Sequence, residues 1–214
     1  MKLGERNQMS KKNKLKGKET LCTMPFGKYN ESFELLKMGE KRNLKDEKSA
    51  KNSSFPVVIN DEKIYLTEPD GKLIPNMENQ QKCDFLIYCQ NRPQTCFIEL
   101  KGENISAKDS YNPYNQIIDT INFLHKEEEL KELVNTNVEK HAFIVSPGRQ
   151  KIPKGIESKE RQLWQKLVQT GVPKSKISAL VHYVKVTKSN RYSNNIQIIC
   201  SPKSPVQIPF SSQS

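Results

Sequence analysis

Three charged residues stand at the ends of otherwise apolar runs: Asp84 near the start of "CDFLIYC", and Glu99 and Lys101 at the close of "TCFIELK". Unpaired charge is costly in such surroundings, so residues of this type there call for a partner. Alternate side chains of an extended chain share a face, which points Glu99 and Lys101 the same way and turns Leu100 to the other side. With the two runs side by side as antiparallel strands, Asp84 at the start of one comes near Glu99 at the end of the other. Two neighbouring carboxylates repel unless a cation lies between them or one is protonated. A hard divalent ion resolves that conflict. Mg2+ takes oxygen ligands in an octahedron and keeps several waters, so Asp84, Glu99 and the main-chain carbonyl of Leu100 make a sufficient ligand set, with Mn2+ as a substitute. Lys101 beside such an ion is suited to orienting or deprotonating a water and to stabilising charge that grows on a phosphate. The reaction needing these parts is phosphodiester hydrolysis.

The elements that must position these residues follow from pattern. "CDFLIYC" and "TCFIEL" are β-branched and aromatic runs separated by the turn-like "QNRPQ", which predicts adjacent antiparallel strands. Asn112-Pro113 marks a helix start, and Ile117, Ile118, Ile121 and Leu124 form a stripe that lays this helix over one face of the sheet. Gln116 sits in its first turn. Upstream, Phe33, Leu36 and Leu44 fall on helical spacing after Asn30 or Ser32 as N-cap, which predicts a short first helix. "FPVVIN" and "KIYLTEPDGKLIP" read as short strands, the latter folded back at Asp70-Gly71. "HAFIVS", "SALVHYVKV" and "NIQIIC" read as further strands. "ESKERQLWQKLVQTG" reads as an amphipathic helix with Leu163, Trp164, Leu167 and Val168 inward and Gly171 at its end. Such mixing predicts an α/β fold, a mixed central β-sheet flanked by helices. The expected organisation is a basic, flexible segment over 1–28, one domain over 29–200 and a flexible tail over 201–214.

Charge is distributed unevenly within a net +11. Lys and Arg number 13 against 7 acids over residues 1–48, 10 against 15 over 49–145, and 12 against 2 over 146–214. Basic flanks around an acidic centre suit a protein that grips phosphates outside and holds a cation inside, although a solubilising surface explains the same charge. Arg149, Lys151, Lys154, Lys159, Arg161, Lys174 and Lys176 are the candidate phosphate contacts. Tyr111 and Tyr114, just before Gln116, either touch nucleotide or close a loop, and Trp164 reads as core. The odd set of five cysteines matches no zinc-finger or ribbon spacing with His125, His141 or His182, so reduced, buried thiols are expected. The chain shows neither a phosphate-binding glycine loop nor a membrane-length apolar run, and its polar start lacks a signal-peptide centre; a cytoplasmic protein is expected.

Asp84, fourteen intervening residues, then Glu99-Leu100-Lys101, with a helix before and a helix carrying Gln116 after, resembles the PD-(D/E)xK nucleases of the restriction-endonuclease-like fold. The resemblance implies an αβββαβ core over roughly Asn30 to Ser146. It implies Asp84 and Glu99 as metal ligands, Lys101 as the catalytic lysine and Gln116 facing the site. Cysteine replaces the proline that usually precedes the first acid. An extra acid from the first helix is assigned to Glu34, with Glu31 behind it. The implied activity is metal-dependent cleavage of nucleic acid, DNA above all, with a homodimer left open. Two other readings stand beside it: a module of the same fold that binds nucleic acid or protein without cutting, and a purely structural pairing of Glu99 with Lys101.

Overall fold

A computed structural model describes residues 24–45, 53–75, 80–102, 112–147, 157–168, 180–186 and 197–211. The strands are β1 (Glu34–Leu36), β2 (Lys41–Lys45), β3 (Ser54–Ile59), β4 (Ile64–Thr67), β5 (Phe85–Cys89), β6 (Gln94–Leu100), β7 (Glu139–Ser146), β8 (Val181–Val186), β9 (Gln197–Cys200) and β10 (Val206–Ile208). The helices are α1 (Asn112–Lys126) and α2 (Glu157–Leu167), with 3-10 helices at Gly27–Ser32 and Glu128–Val134.

Seven strands form one mixed sheet in the order β1-β4-β5-β6-β7-β8-β9, and β10-β3-β2 form a second, smaller one. In the large sheet β1, β4, β5 and β6 pair antiparallel, whereas β6 through β9 are parallel. The strand order explains the switch. β5 and β6 are joined by a tight turn, while β6 and β7 are joined through α1, a crossover that only a parallel partner needs.

The large sheet is buried on both faces, and alternation along each strand sorts its side chains. Leu86 and Tyr88 of β5 and Phe97 of β6 pack with Ile117, Ile121 and Leu124 of α1 and Leu163 and Leu167 of α2. Phe85, Ile87, Cys96 and Ile98 point the opposite way, onto Phe55, Val57 and Ile59 of β3. The rings of Phe55 and Phe143 lie 5.4 Å apart across that interface. A layer of helices, a large sheet and a small sheet result. Each fully buried Phe, Ile or Leu contributes about 1.5–3 kcal/mol, so burial on both faces dominates the stability of the strands that carry the charged residues.

Several expectations are met by these elements. "CDFLIYC" and "TCFIEL" are antiparallel neighbours, α1 begins at Asn112, and of its predicted stripe Ile117, Ile121 and Leu124 are buried against the sheet while Ile118 is partly buried. Cys83, Cys89, Cys96 and Cys200 are free and buried. Trp164 packs partly buried against the helix-side core, as expected of a core residue.

Others are corrected. No α-helix forms over "NESFELLKMGEKRNL": a 3-10 helix ends at Ser32, and the chain continues as β1 and β2. Phe33, Leu36 and Leu44 are buried, as apolar residues at that spacing should be, but Leu36 and Leu44 lie on strands claimed by β4 and β3. Gly39, at φ +82°, supplies the reversal between β1 and β2. Asp70 and Gly71 make a turn that leads to a single bridge between Asp70 and Ile74; among the described residues no hairpin strand follows it before β5. "FPVVIN" joins the second sheet rather than the central one.

The C-terminal segment expected to be flexible packs instead. β10 lies parallel to β3, with Ile208 fully buried. Gln94 closes the latch: its Oε1 accepts from Phe210 N at 2.6 Å and its Nε2 donates to Phe210 O at 2.8 Å. Polar composition hid a segment whose few apolar residues, Val206, Ile208 and Phe210, alternate onto the core. At the other end Phe26, inside the segment expected to be mobile, is buried and stacks on Phe33 at 3.9 Å. Gly171 and Cys22 lie outside the described residues.

Candidate functional site

Register places the two acids. Phe85 pairs with Ile98, so one further step along the antiparallel ladder sets Asp84 opposite Glu99. Asp84 shares its face with Leu86 and Tyr88, and Glu99 shares its face with Phe97, so both carboxylates point toward the helix layer. Asp84 Oδ2 accepts from the Leu100 N–H at 2.6 Å, which ties the start of β5 to the end of β6.

Glu99 is 1% exposed. Lys101 Nζ stands 2.6 Å from its Oε1, while Oε2 is buried with no hydrogen-bond partner. Burial raises the Glu99 carboxyl to about 8, helped by the charge of Asp84 and opposed by Lys101. The physical content is plain: one lysine does not compensate two carboxylates in this environment, so a proton or a cation is favoured there.

α1 completes the arrangement. Lys101 Nζ donates to Gln116 Oε1 at 2.7 Å, and Gln116 Nε2 donates to Lys82 O at 3.0 Å. One turn further, Thr120 Oγ1 accepts from Cys83 N at 3.0 Å and donates to Gln116 O at 2.8 Å. The chain entering β5 is thereby pinned to the helix that carries Gln116. Asp119 Oδ2 accepts from Gln81 N at 3.4 Å, and Lys82 Nζ pairs with Asp70 Oδ1 at 3.2 Å. Lys82, Asp119 and Thr120 were not singled out from sequence. The available signal was spacing: Lys82 precedes Asp84 by two, and Thr120 follows Gln116 by one helical turn.

Asp84, Glu99, Lys101 and Gln116 are therefore brought together at the end of β6. Glu34 is not. It pairs with Leu66, which pairs with Ile87, and these belong to the face that packs on the small sheet. Glu34 is exposed and ion-paired to Arg42. The error follows from the missing first helix, which would have supplied an acid on the other side. Glu31 is exposed on the 3-10 helix. Among the described residues no three His, Cys, Asp or Glu side chains gather closely enough to hold a metal unaided, so an ion bound by Asp84 and Glu99 needs main-chain or solvent oxygens as well.

Tyr114 is also corrected: it is a buried residue of α1, hydrogen-bonded through its hydroxyl to Tyr183, whose hydroxyl also donates to Glu160 Oε1 at 3.2 Å. Of the basic candidates, Lys159 and Arg161 lie on α2, Arg161 exposed and Lys159 half-buried. Arg149, Lys151, Lys154, Lys174, Lys176 and Tyr111 fall outside the described residues. Among the described residues no helix is long and apolar enough to cross a membrane.

Comparison with family models, with curated proteins and with solved structures returned no match.

Proposed function

We propose that this chain is a Mg2+-dependent nuclease of the PD-(D/E)xK type, acting on DNA. One observation carries the reading: Asp84 and Glu99 face each other across adjacent strands on one side of the sheet, with Lys101 bonded to both Glu99 and Gln116. The run β4, β5, β6, α1, β7, three antiparallel strands and a helical crossover to a parallel fourth, further supports it. The leading helix of the αβββαβ core has no counterpart among the described residues.

The donor set suits a hard cation, since the orphaned buried Oε2 of Glu99 and the carboxylate of Asp84 are both oxygens. Asp84, Glu99 and the Leu100 carbonyl would hold Mg2+ or Mn2+, which would supply Lewis-acid polarisation of a phosphodiester. With an ion in place of the proton that burial favours on Glu99, Glu99 and Asp84 would face it as carboxylates from the two strand ends. Lys101, one fifth exposed, orients an attacking water and offsets charge developing on the phosphate. Gln116 holds the ammonium in place through its oxygen while its nitrogen is anchored to Lys82 O.

The test incubates purified protein with duplex DNA, single strands and RNA in Mg2+, Mn2+ or EDTA. Metal-dependent cleavage lost in Lys101→Ala and in Glu99→Ala, with circular dichroism unchanged, supports the proposal. Cleavage that survives in both variants removes the mechanism. Salt-sensitive binding without cutting assigns the chain to the non-cleaving module instead.

A further inference from the structure

Ladder pairing of β5 with β6 begins at Phe85, so Asp84 and the residues leading to it lie outside the strand that would otherwise fix their main chain. One face of α1 takes over that task. Gln116, Asp119 and Thr120 stand at i, i+3 and i+4, which puts the three side chains on one side of the helix. They hold backbone groups of three successive residues: Asp119 Oδ2 accepts from Gln81 N at 3.4 Å, Gln116 Nε2 donates to Lys82 O at 3.0 Å, and Thr120 Oγ1 accepts from Cys83 N at 3.0 Å.

Two of these bonds act on a single peptide unit. Lys82 O and Cys83 N are the two ends of one planar amide, and a plane held at both ends is fixed in orientation. Only φ and ψ of Cys83 then separate that plane from the Cα of Asp84. Thr120 is itself held, because its hydroxyl donates to Gln116 O at 2.8 Å and so turns a lone pair toward the Cys83 N–H. Thr120 and Cys83 are both fully buried, so losing this bond leaves a buried donor unsatisfied.

We propose that Thr120 is a positioning residue of the candidate site: with Asp119 and Gln116 it fixes the main chain before Asp84 and thereby sets where that carboxylate meets β6. The catalytic consequence rests on the nuclease reading. Gln116 Oε1 also accepts from Lys101 Nζ at 2.7 Å, so one helix face places both an acid and the lysine of the site. Groups that support a metal ligand from behind are typically worth about 10–100-fold in metal affinity. Loss of the Thr120 hydroxyl therefore acts on the metal requirement more than on turnover once metal is saturating.

The test compares the full native chain with Thr120→Val, which keeps the shape and removes the hydroxyl, and Thr120→Ser, which keeps the hydroxyl. Amide hydrogen exchange in EDTA reads the geometry, because two adjacent amides have different acceptors: Leu100 N donates to Asp84 Oδ2 at 2.6 Å and Lys101 N to Val145 O at 2.8 Å. Thr120→Val should speed exchange at Leu100 about tenfold relative to Lys101, whereas a general loss of stability speeds both alike and leaves the ratio unmoved. Thr120→Ser should keep the native ratio. Asp119→Ala, a half-buried change, should move the ratio in the same direction and decides the matter where Thr120→Val does not fold. In the cleavage assay Thr120→Val should need about tenfold more Mg2+ for half-maximal rate, with Thr120→Ser restoring the native requirement. An exchange ratio unchanged from native in Thr120→Val, or a Mg2+ requirement equal to that of the native chain, overturns the inference. A native chain without metal-dependent cleavage refutes the nuclease reading alone, and the exchange ratio still decides whether Thr120 places Asp84.

Discussion

Replacing Glu99 by glutamine isolates the electrostatic cost of the candidate site. Its carboxyl is raised from an ordinary 4.5 to about 8, chiefly by burial and then by Asp84. A group whose folded value is raised binds its proton more readily in the folded state, so the associated stability is complete below the unfolded value and is lost as pH climbs toward the folded one. Each tenfold change in the ionisation equilibrium is worth about 1.4 kcal/mol, which bounds the total loss at roughly 5 kcal/mol, of which about 2 kcal/mol falls between pH 6 and pH 8. In a chain of 214 residues that is a drop of roughly 4–8 °C in Tm. Glu99→Gln removes the ionisation and keeps the shape, so its stability should be nearly flat over the same interval in the contribution from this site. The assay is urea unfolding of both proteins in EDTA at several pH values between 6 and 8, plotted as a difference so that other titrations cancel. A difference that grows by about 2 kcal/mol in favour of the variant is expected. Parallel profiles would refute the reasoning, because they would mean that Glu99 ionises in the folded chain as freely as in water.

Adding Mg2+ at pH 8 should restore stability to the native chain and leave Glu99→Gln nearly unaffected; thermal unfolding with and without the ion checks this. Gln116→Ala removes one of the partners of the Lys101 ammonium and its tie to the Lys82 carbonyl, so the proposed nuclease activity should fall at least tenfold at a stability cost of about 1 kcal/mol, measured by turnover and unfolding side by side. Ile208→Ala should cost about 3 kcal/mol by urea unfolding, since Ile208, on the strand beside β3, is fully buried in the core between the two sheets; an unchanged midpoint would mean that β10 does not dock. Cys83, Cys89, Cys96 and Cys200, buried and with thiols pushed up by that burial, should stay unreactive toward a thiol reagent until the chain unfolds.

The sequence by itself determined the parts of this protein whose signals are local. Continuous β-branched and aromatic runs announce β5, β6 and β7, Asn112-Pro113 announces α1, and the alternation of Glu99 and Lys101 about Leu100 states that they share a face. Antiparallel pairing of β5 with β6 follows from a short turn, and with it the approach of Asp84 to Glu99. The 3-10 helix and strands in place of a first helix were not legible, because Phe33, Leu36 and Leu44 fall on helical spacing, and only pairing with β4 and β3, which buries Phe33 and Leu36 in opposite layers, overrides it. The docking of β10 was hidden for the same reason: three apolar residues in a polar tail gain their energy from a face that exists only once β3 has folded. The roles of Lys82, Asp119 and Thr120 likewise emerge only from contacts between distant segments. Local spacing settles which side of its own strand a residue occupies. What that side meets, and so whether an acid is paired, buried or left facing another, depends on which strands and helices the whole chain brings against it.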